Sequence, residues 1–241
     1  MKKNIVLGLV VAANLMWVAG CSSIVNGKSD QSEKIHIKED KVKQLDITLN
    51  IGAGQLNVSE GTKEWVEGEI DYNIDDLEPK VKYKRSGQNG KLVIEQSKKN
   101  FSGIKMGDIK NDWDLQLSNK VPIDLSVNSG ASETKLDLQG LQLSSLDIDA
   151  GVGDITVDLS GDWKESFDVD LEMGVGQSTI ILPKDVGVKI KSSKGIGHTD
   201  FKGFISEGNG VYVNEAYKNA DVKIEVNTEL GIGEANFVLE K

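Results

Sequence analysis

Beyond residue 34 the chain alternates apolar and polar residues over long stretches. Leu45, Ile47, Leu49 and Ile51 are separated by polar residues, as are Ile123, Leu125 and Val127, and Phe167, Val169, Leu171 and Met173. A period of two predicts strands with one face buried. Each run meets a glycine-centred unit: Gly52-Ala53-Gly54, Gly151-Val152-Gly153, Gly174-Val175-Gly176, Gly195-Ile196-Gly197 and Gly231-Ile232-Gly233, with a weaker copy at Gly130-Ala131-Ser132. Alternation then resumes, through Ile155, Val157 and Leu159, through Ile180 and Leu182, and through Ala235, Phe237 and Leu239. The unit reads strand, glycine corner, strand, and no long helical period follows the first twenty residues.

First glycines from 130 to 195 lie 21, 23 and 21 residues apart, while 36 residues separate Gly195 from Gly231 and 78 separate Gly52 from Gly130. A unit this short cannot bury its apolar face alone, so the repeat predicts an all-β, single-stranded β-solenoid or β-roll of about 21–23-residue rungs with hairpin insertions. One insertion is Lys63 to Gln96, with strand composition at Trp65–Asn73, Lys80–Arg85 and Lys91–Gln96 and a turn at Gly87-Gln88-Asn89-Gly90. The other is Lys202 to Ala220, which turns at Gly208-Asn209-Gly210. The expected divisions are a signal segment at 1–20, a flexible tether at 21–33, an N-terminal β region at 34–100 and a β-solenoid region at 101–241 continuous with it.

The N-terminus changes the picture. Lys2 and Lys3 precede an uncharged, mostly apolar run to Gly20, the layout of a secretory signal. Val18-Ala19-Gly20-Cys21 resembles the lipobox of bacterial lipoproteins, and Cys21 is the one cysteine in 241 residues. Lipidation at Cys21 is therefore expected, followed by a polar spacer from Ser22 to Glu33. Loss of Lys2 and Lys3 with the signal takes the formal charge from −10 to −12. Two or three acyl chains hold a protein durably on a membrane. The expected location is extracytoplasmic and lipid-anchored, on the outer face of the cell membrane or, in a two-membraned cell, on the outer membrane.

Composition excludes most site chemistries. One cysteine and two histidines argue against disulfides and His- or Cys-built metal centres. An acidic chain is a poor ligand for nucleic acid, whose binding needs Lys and Arg against phosphate. The Gly-x-Gly units lack the third glycine and following helix of a dinucleotide site, and the copies are too widely spaced for nine-residue calcium-binding turns. Stacked strands align Asp124, Asp147 and Asp170 on one face, either as a solvated ladder or as oxygen ligands for a hard cation. His36 stands in an alternating, solvent-facing segment and His198 at a variable corner place. Neither resembles a general base held by a carboxylate. Trp65, Trp113 and Trp163 are the candidate aromatic platforms, with Trp113 read as core and Trp163 as the most exposed. No catalytic, cofactor-binding or metal-binding residue is selected, no cofactor is expected, and the chain reads as a non-enzyme.

A resemblance bears on function. Leu49-Asn50-Ile51-Gly52-Ala53-Gly54-Gln55-Leu56-Asn57-Val58 followed by Gly68-Glu69-Ile70-Asp71-Tyr72-Asn73 resembles the opening of the bacterial toast-rack family. Val121-Pro122-Ile123-Asp124-Leu125, Gly130-Ala131, Leu136-Asp137-Leu138 and Leu146-Asp147-Ile148 resemble its coil segment. Tyr212-Val213-Asn214-Glu215-Ala216-Tyr217-Lys218-Asn219-Ala220, leading into Gly231-Ile232-Gly233-Glu234, is similar to the C-terminal domain of cell-wall-active-antibiotic-response proteins. The resemblance implies a non-catalytic β-solenoid associated in some relatives with envelope-stress signalling. The expected role is a binding or stress-response accessory module whose partners are the membrane, through Cys21, and an envelope protein or cell-wall component. The alternative is an adhesin-like or structural surface protein.

Overall fold

The computed structural model describes residues 30–96 and 109–240. The signal segment, Cys21 and nearly all of the tether lie outside these residues, as does the expected division near residue 100. Thirteen strands follow in order: β1 (Gln31–Ile37), β2 (Gln44–Glu60), β3 (Val66–Tyr72), β4 (Pro79–Ser86), β5 (Asn89–Gln96), β6 (Asn111–Leu117), β7 (Ile123–Asp137), β8 (Leu143–Asp158), β9 (Phe167–Leu182), β10 (Gly187–Lys202), β11 (Ile205–Gly208), β12 (Val211–Val213) and β13 (Lys223–Leu239). β1 begins at Gln31, inside the segment read as tether. Helix is confined, among the described residues, to short 3-10 turns at Asp75–Leu77 and Glu215–Lys218.

All thirteen strands belong to one open sheet, with the main path β1-β3-β6-β2-β7-β8-β9-β13-β10-β12-β11 and β4-β5 joined to β2. The long strands β2, β7, β8, β9, β13 and β10 run parallel and in register along both halves of each strand. Glycine corners bend them, so that residues before and after each corner contribute to one apolar cluster. Leu45, Ile47, Leu49 and Ile51 enter it from one half of β2, and Leu56 and Val58 from the other.

Two departures from a simple stack in chain order stand out. β13 lies between β9 and β10. The reason is that β12 pairs antiparallel with the outer edge of β10 through Lys189–Lys191, so β13 can join β10 only on its inner side. Similarly, the Lys63–Gln96 segment does not bulge out as an insertion: its strands β3, β4 and β5, together with β6, extend the sheet beyond β2. Parallel to β2, β5 covers its first half and β6 its second.

Where those two strands diverge, side chains replace the missing ladder. Gln96 Oε1 accepts hydrogen bonds from Gly52 N (2.8 Å) and Asn111 Nδ2 (3.0 Å), Asn111 Nδ2 donates also to Ala53 O (2.6 Å), and Trp113 Nε1 donates to Asn111 Oδ1 (2.9 Å). At the other end Phe201 stacks on Tyr212, with centroids 3.6 Å apart, and on Phe237 at 5.1 Å. The hairpin β11-β12 thus brings an aromatic lid to the open end of the core.

Candidate functional site

The aromatic candidates are structural. Trp113 is fully buried. Trp65 is also buried, and its Nε1 donates to Asp40 Oδ1 at 3.1 Å, while Tyr83 OH donates to Asp40 Oδ2 at 3.1 Å. Burial pushes the Asp40 carboxyl up, but these hydrogen bonds and that from Val42 N outweigh it and hold Asp40 below its usual range. Burial and the bond to Asp40 push Tyr83 to about 12. Trp163 corrects the expectation of exposure: it is buried, donates to Leu159 O at 2.7 Å and packs on Phe167 with centroids 4.6 Å apart. The turn after Ser160 folds its indole inward because the ring has a carbonyl to satisfy and an aromatic neighbour to cover.

The titratable candidates are dispersed. His36 is exposed with Nδ1 3.1 Å from Glu67 Oε1, whereas His198 lies at the far edge on β10. Asp147 pairs directly with Asp170 across β8 and β9. Asp124 faces Ser145 instead, because the β7–β8 register shifts after Ile123. The three carboxylates therefore form a broken ladder, and among the described residues no group of three His, Cys, Asp or Glu converges as a metal site. Desolvation against the sheet, then repulsion from Asp124 and Asp170, pushes Asp147 up. A raised folded-state carboxyl penalises the ionised protein, so the penalty is present at neutral pH and disappears as pH falls below the unfolded value. Asp147→Asn is accordingly expected to raise the urea midpoint at pH 7 and to leave it unchanged near pH 3. An equal shift at both pH values would refute the repulsion.

The corners carry a feature not anticipated from the sequence. The residue between the glycines points outward in every long strand, and the strand registers place these residues side by side: Ala53, Ala131, Val152, Val175, Ile232 and Ile196. Val152 (52% exposed), Val175 (43%), Ile232 (51%) and Ile196 (74%) are four of the five large apolar side chains exposed among the described residues. At a strand spacing of about 4.8 Å they form a continuous aliphatic ridge.

Carboxylates line both flanks. On one side Asp149, Glu172 and Glu229 are direct cross-strand neighbours. They overlook a shallow groove of about 600 Å³ whose floor includes Gly151, Gly174, Gly195 and Gly231. Opposite them stand Glu133, Asp154 and Glu234, and a second groove of about 410 Å³ runs past Ala53, Ala131 and Val152. Cross-strand like charges are destabilising. Among the described residues, Asp149, Asp154, Glu172, Glu229 and Glu234 enter no ion pair; by contrast, Glu225 is held by Lys189 and Lys191 at 3.7 and 3.6 Å.

The sequence does contain a sign of the ridge. Buried positions are odd before the corner of β9 (Phe167, Val169, Leu171, Met173) and even after it (Ser178, Ile180, Leu182). The phase flips across the glycine pair, so the apolar residue between them belongs to neither buried series.

An open, largely parallel sheet with a long exposed corner defines a β-structured protein that presents an extended surface. The model of the N-terminal domain of toast_rack, DUF2154, matches residues 25–181, and that of the cell wall-active antibiotics response protein LiaF, C-terminal, matches residues 130–236. The first match spans more than half of the chain, which belongs to the toast-rack family. No curated protein matches the sequence significantly. Among solved structures, a candidate cell adhesion protein from Clostridium sporogenes ATCC 15579 is 32% identical, with 88% of this chain and 100% of that chain covered and a TM-score of 0.86. A candidate adhesin from Bacteroides fragilis NCTC 9343 is 15% identical over 86% of this chain and 97% of that one, with a TM-score of 0.34. No helix among the described residues is long and apolar enough to cross a membrane.

Proposed function

We propose that this protein is a non-catalytic binding module of the bacterial envelope, held outside the cytoplasm by lipid on Cys21, whose bent strands stack as turns of a β-solenoid. The observation that carries the reading is the in-register aliphatic ridge with its acidic flanks, on which Glu133 is paired with Lys135 while Asp149, Asp154, Glu172, Glu229 and Glu234 enter no ion pair among the described residues. A soluble protein gains nothing from exposing adjacent branched side chains between repelling carboxylates, so such a surface marks an interaction site. The dispersal of His36, His198 and the Asp ladder supports a role without catalysis. The toast-rack membership and the LiaF-type match favour an accessory role at the envelope. The similarity to the Clostridium sporogenes structure favours adhesion as the second reading.

Anchoring and binding are tested separately. Labelled palmitate is expected in the native protein, with Cys21→Ala unlabelled and released from the membrane fraction. Labelling that survives this substitution would overturn the anchor. Crosslinking in intact envelopes is expected to recover a reproducible partner, whereas repeated recovery of the protein alone would overturn the binding role. Adhesion instead predicts that deletion alters surface attachment without changing the response to wall-active antibiotics.

A further inference from the structure

We infer that the corner ridge and its two flanking grooves bind an extended peptide segment of alternating basic and aliphatic residues, supplied by a partner protein at the envelope. The inference rests on the binding role proposed above and names the chemistry of the partner.

Three observations determine that chemistry. First, Val152, Val175, Ile232 and Ile196 are β-branched, consecutive across four neighbouring strands and substantially exposed. Such a row is desolvated only by an apolar surface laid across the strands. Second, the neighbouring rows carry acid on both sides: Asp149, Glu172 and Glu229 are contiguous on one flank, and on the other Asp154 and Glu234 stand on either side of Gln177, beside Glu133, which is paired with Lys135. Third, the floor of the groove beside Asp149, Glu172 and Glu229 includes the backbone of Gly151, Gly174, Gly195 and Gly231, which have no side chains to fill it. A Lys or Arg side chain suits this cross-section, with its methylene stem along the glycine floor and its charge at the carboxylates. An extended segment projects successive side chains in opposite directions, so with its aliphatic residues on the ridge the long Lys or Arg stems fold back over the edges of the segment into the grooves.

The dimensions agree. Six adjacent strands, from β2 to β10, span about 24 Å, and nine extended residues cover about 30 Å. The charge disfavours the other occupants. A second copy carries the same acidic rows and a net charge of −10, and an anionic bilayer would be repelled by the same carboxylates.

The probe is a fluorescent nine-residue peptide of alternating Lys and Val, titrated by anisotropy against the full chain in nonionic detergent. Saturable binding is expected with a Kd of about 10–100 µM, weakening as salt rises from 50 to 200 mM. Val175→Ser with Ile232→Ser removes the middle of the ridge, and Glu172→Gln with Glu229→Gln removes two flanking charges. Each pair is expected to weaken binding at least tenfold. Replacing Val by Ser throughout the peptide is expected to do the same. All four positions are exposed, so the urea midpoint of the Ser pair should remain near that of the native protein, and that of the Gln pair should equal or exceed it because a cross-strand repulsion is removed. If the Ser pair fails to fold, Val175→Ala with Ile232→Ala takes its place.

Equal binding of the Lys-Ser peptide, or unchanged binding by either variant, would overturn the inference. So would a ridge that proves instead to drive self-association in light scattering, or co-sedimentation with anionic vesicles without peptide binding. If the peptide fails while crosslinking still recovers an envelope partner, the binding role stands and only this ligand class is lost. If the peptide binds but no envelope partner is recovered, the reverse holds.

Discussion

Gly176→Val is expected to abolish the cooperative fold. Gly176 sits at φ +145°, a region that L side chains rarely adopt, and a Cβ built there lies 1.8 Å from Gly153 O and 3.0 Å from Met173 Cε. That carbonyl is rigid backbone of the neighbouring strand, so relief requires β8 and β9 to separate at the corner. Backbone strain of about 1–3 kcal/mol adds to broken ladder bonds and exposed core, and the total should reach about 4 kcal/mol or more. Far-UV circular dichroism with urea unfolding reads the result. Because the clash comes from the Cβ itself, Gly176→Ala should be nearly as damaging as Val. A Gly176→Ala protein within about 1 kcal/mol of native would refute the account of the corner. The adjacent Val175→Ser supplies the contrast, since the side chain is 43% exposed and contributes to the surface, not the core. Its urea midpoint should stay close to native.

This contrast within one triplet explains which parts of the fold were legible. Period-two alternation is a direct imprint of a half-buried strand, so β2, β7, β8, β9 and β13 could be placed from their apolar residues alone. The glycines could be placed at corners because few other residues allow a strand to turn so closely against its neighbour. The order of the last strands was not legible. β10 and β13 carry equivalent patterns, and only the pairing of β12 with Lys189–Lys191 decides which of them lies against β9. The burial of Trp163 is hidden in the sequence for a related reason. Its position after Ser160-Gly161-Asp162 suggests a solvated turn, but the contacts that bury it, Leu159 O and Phe167, depend on how the turn folds. The ridge is a property of register. Each apolar residue between glycines looks unremarkable in its own strand, and only the parallel alignment of six strands turns isolated side chains into a continuous surface. The flip of phase across each corner marks those residues as outward, yet it cannot say that they are neighbours.

The second large effect is expected at Asn214→Ala, far from the ridge. Asn214 is buried and lies between β12 and the 3-10 turn Glu215–Lys218. Its Nδ2 donates to Val186 O at 2.7 Å, with longer contacts to Lys184 O and Pro183 O, and its Oδ1 accepts from Val188 N at 2.9 Å. One amide thus satisfies the backbone of the β9–β10 connection and ties it to the segment after the hairpin, while Asn214 N donates to Val188 O at 3.1 Å. Alanine keeps the last of these bonds and leaves a buried N–H and a buried C=O without partners. Each such group costs about 1–3 kcal/mol, so a loss of about 3 kcal/mol is expected in urea unfolding. Asp at this position should not rescue, because it keeps the acceptor for Val188 N but sets a carboxylate against the Val186 carbonyl. The loosened segment connects directly to Tyr212, whose ring stacks on Phe201 at the end of the core. Hydrogen exchange in Asn214→Ala should therefore quicken across 186–190 and 211–213 first, leaving the ladder between β7 and β8 protected. Uniform acceleration along all strands would instead mean that the clamp and the sheet unfold as one unit.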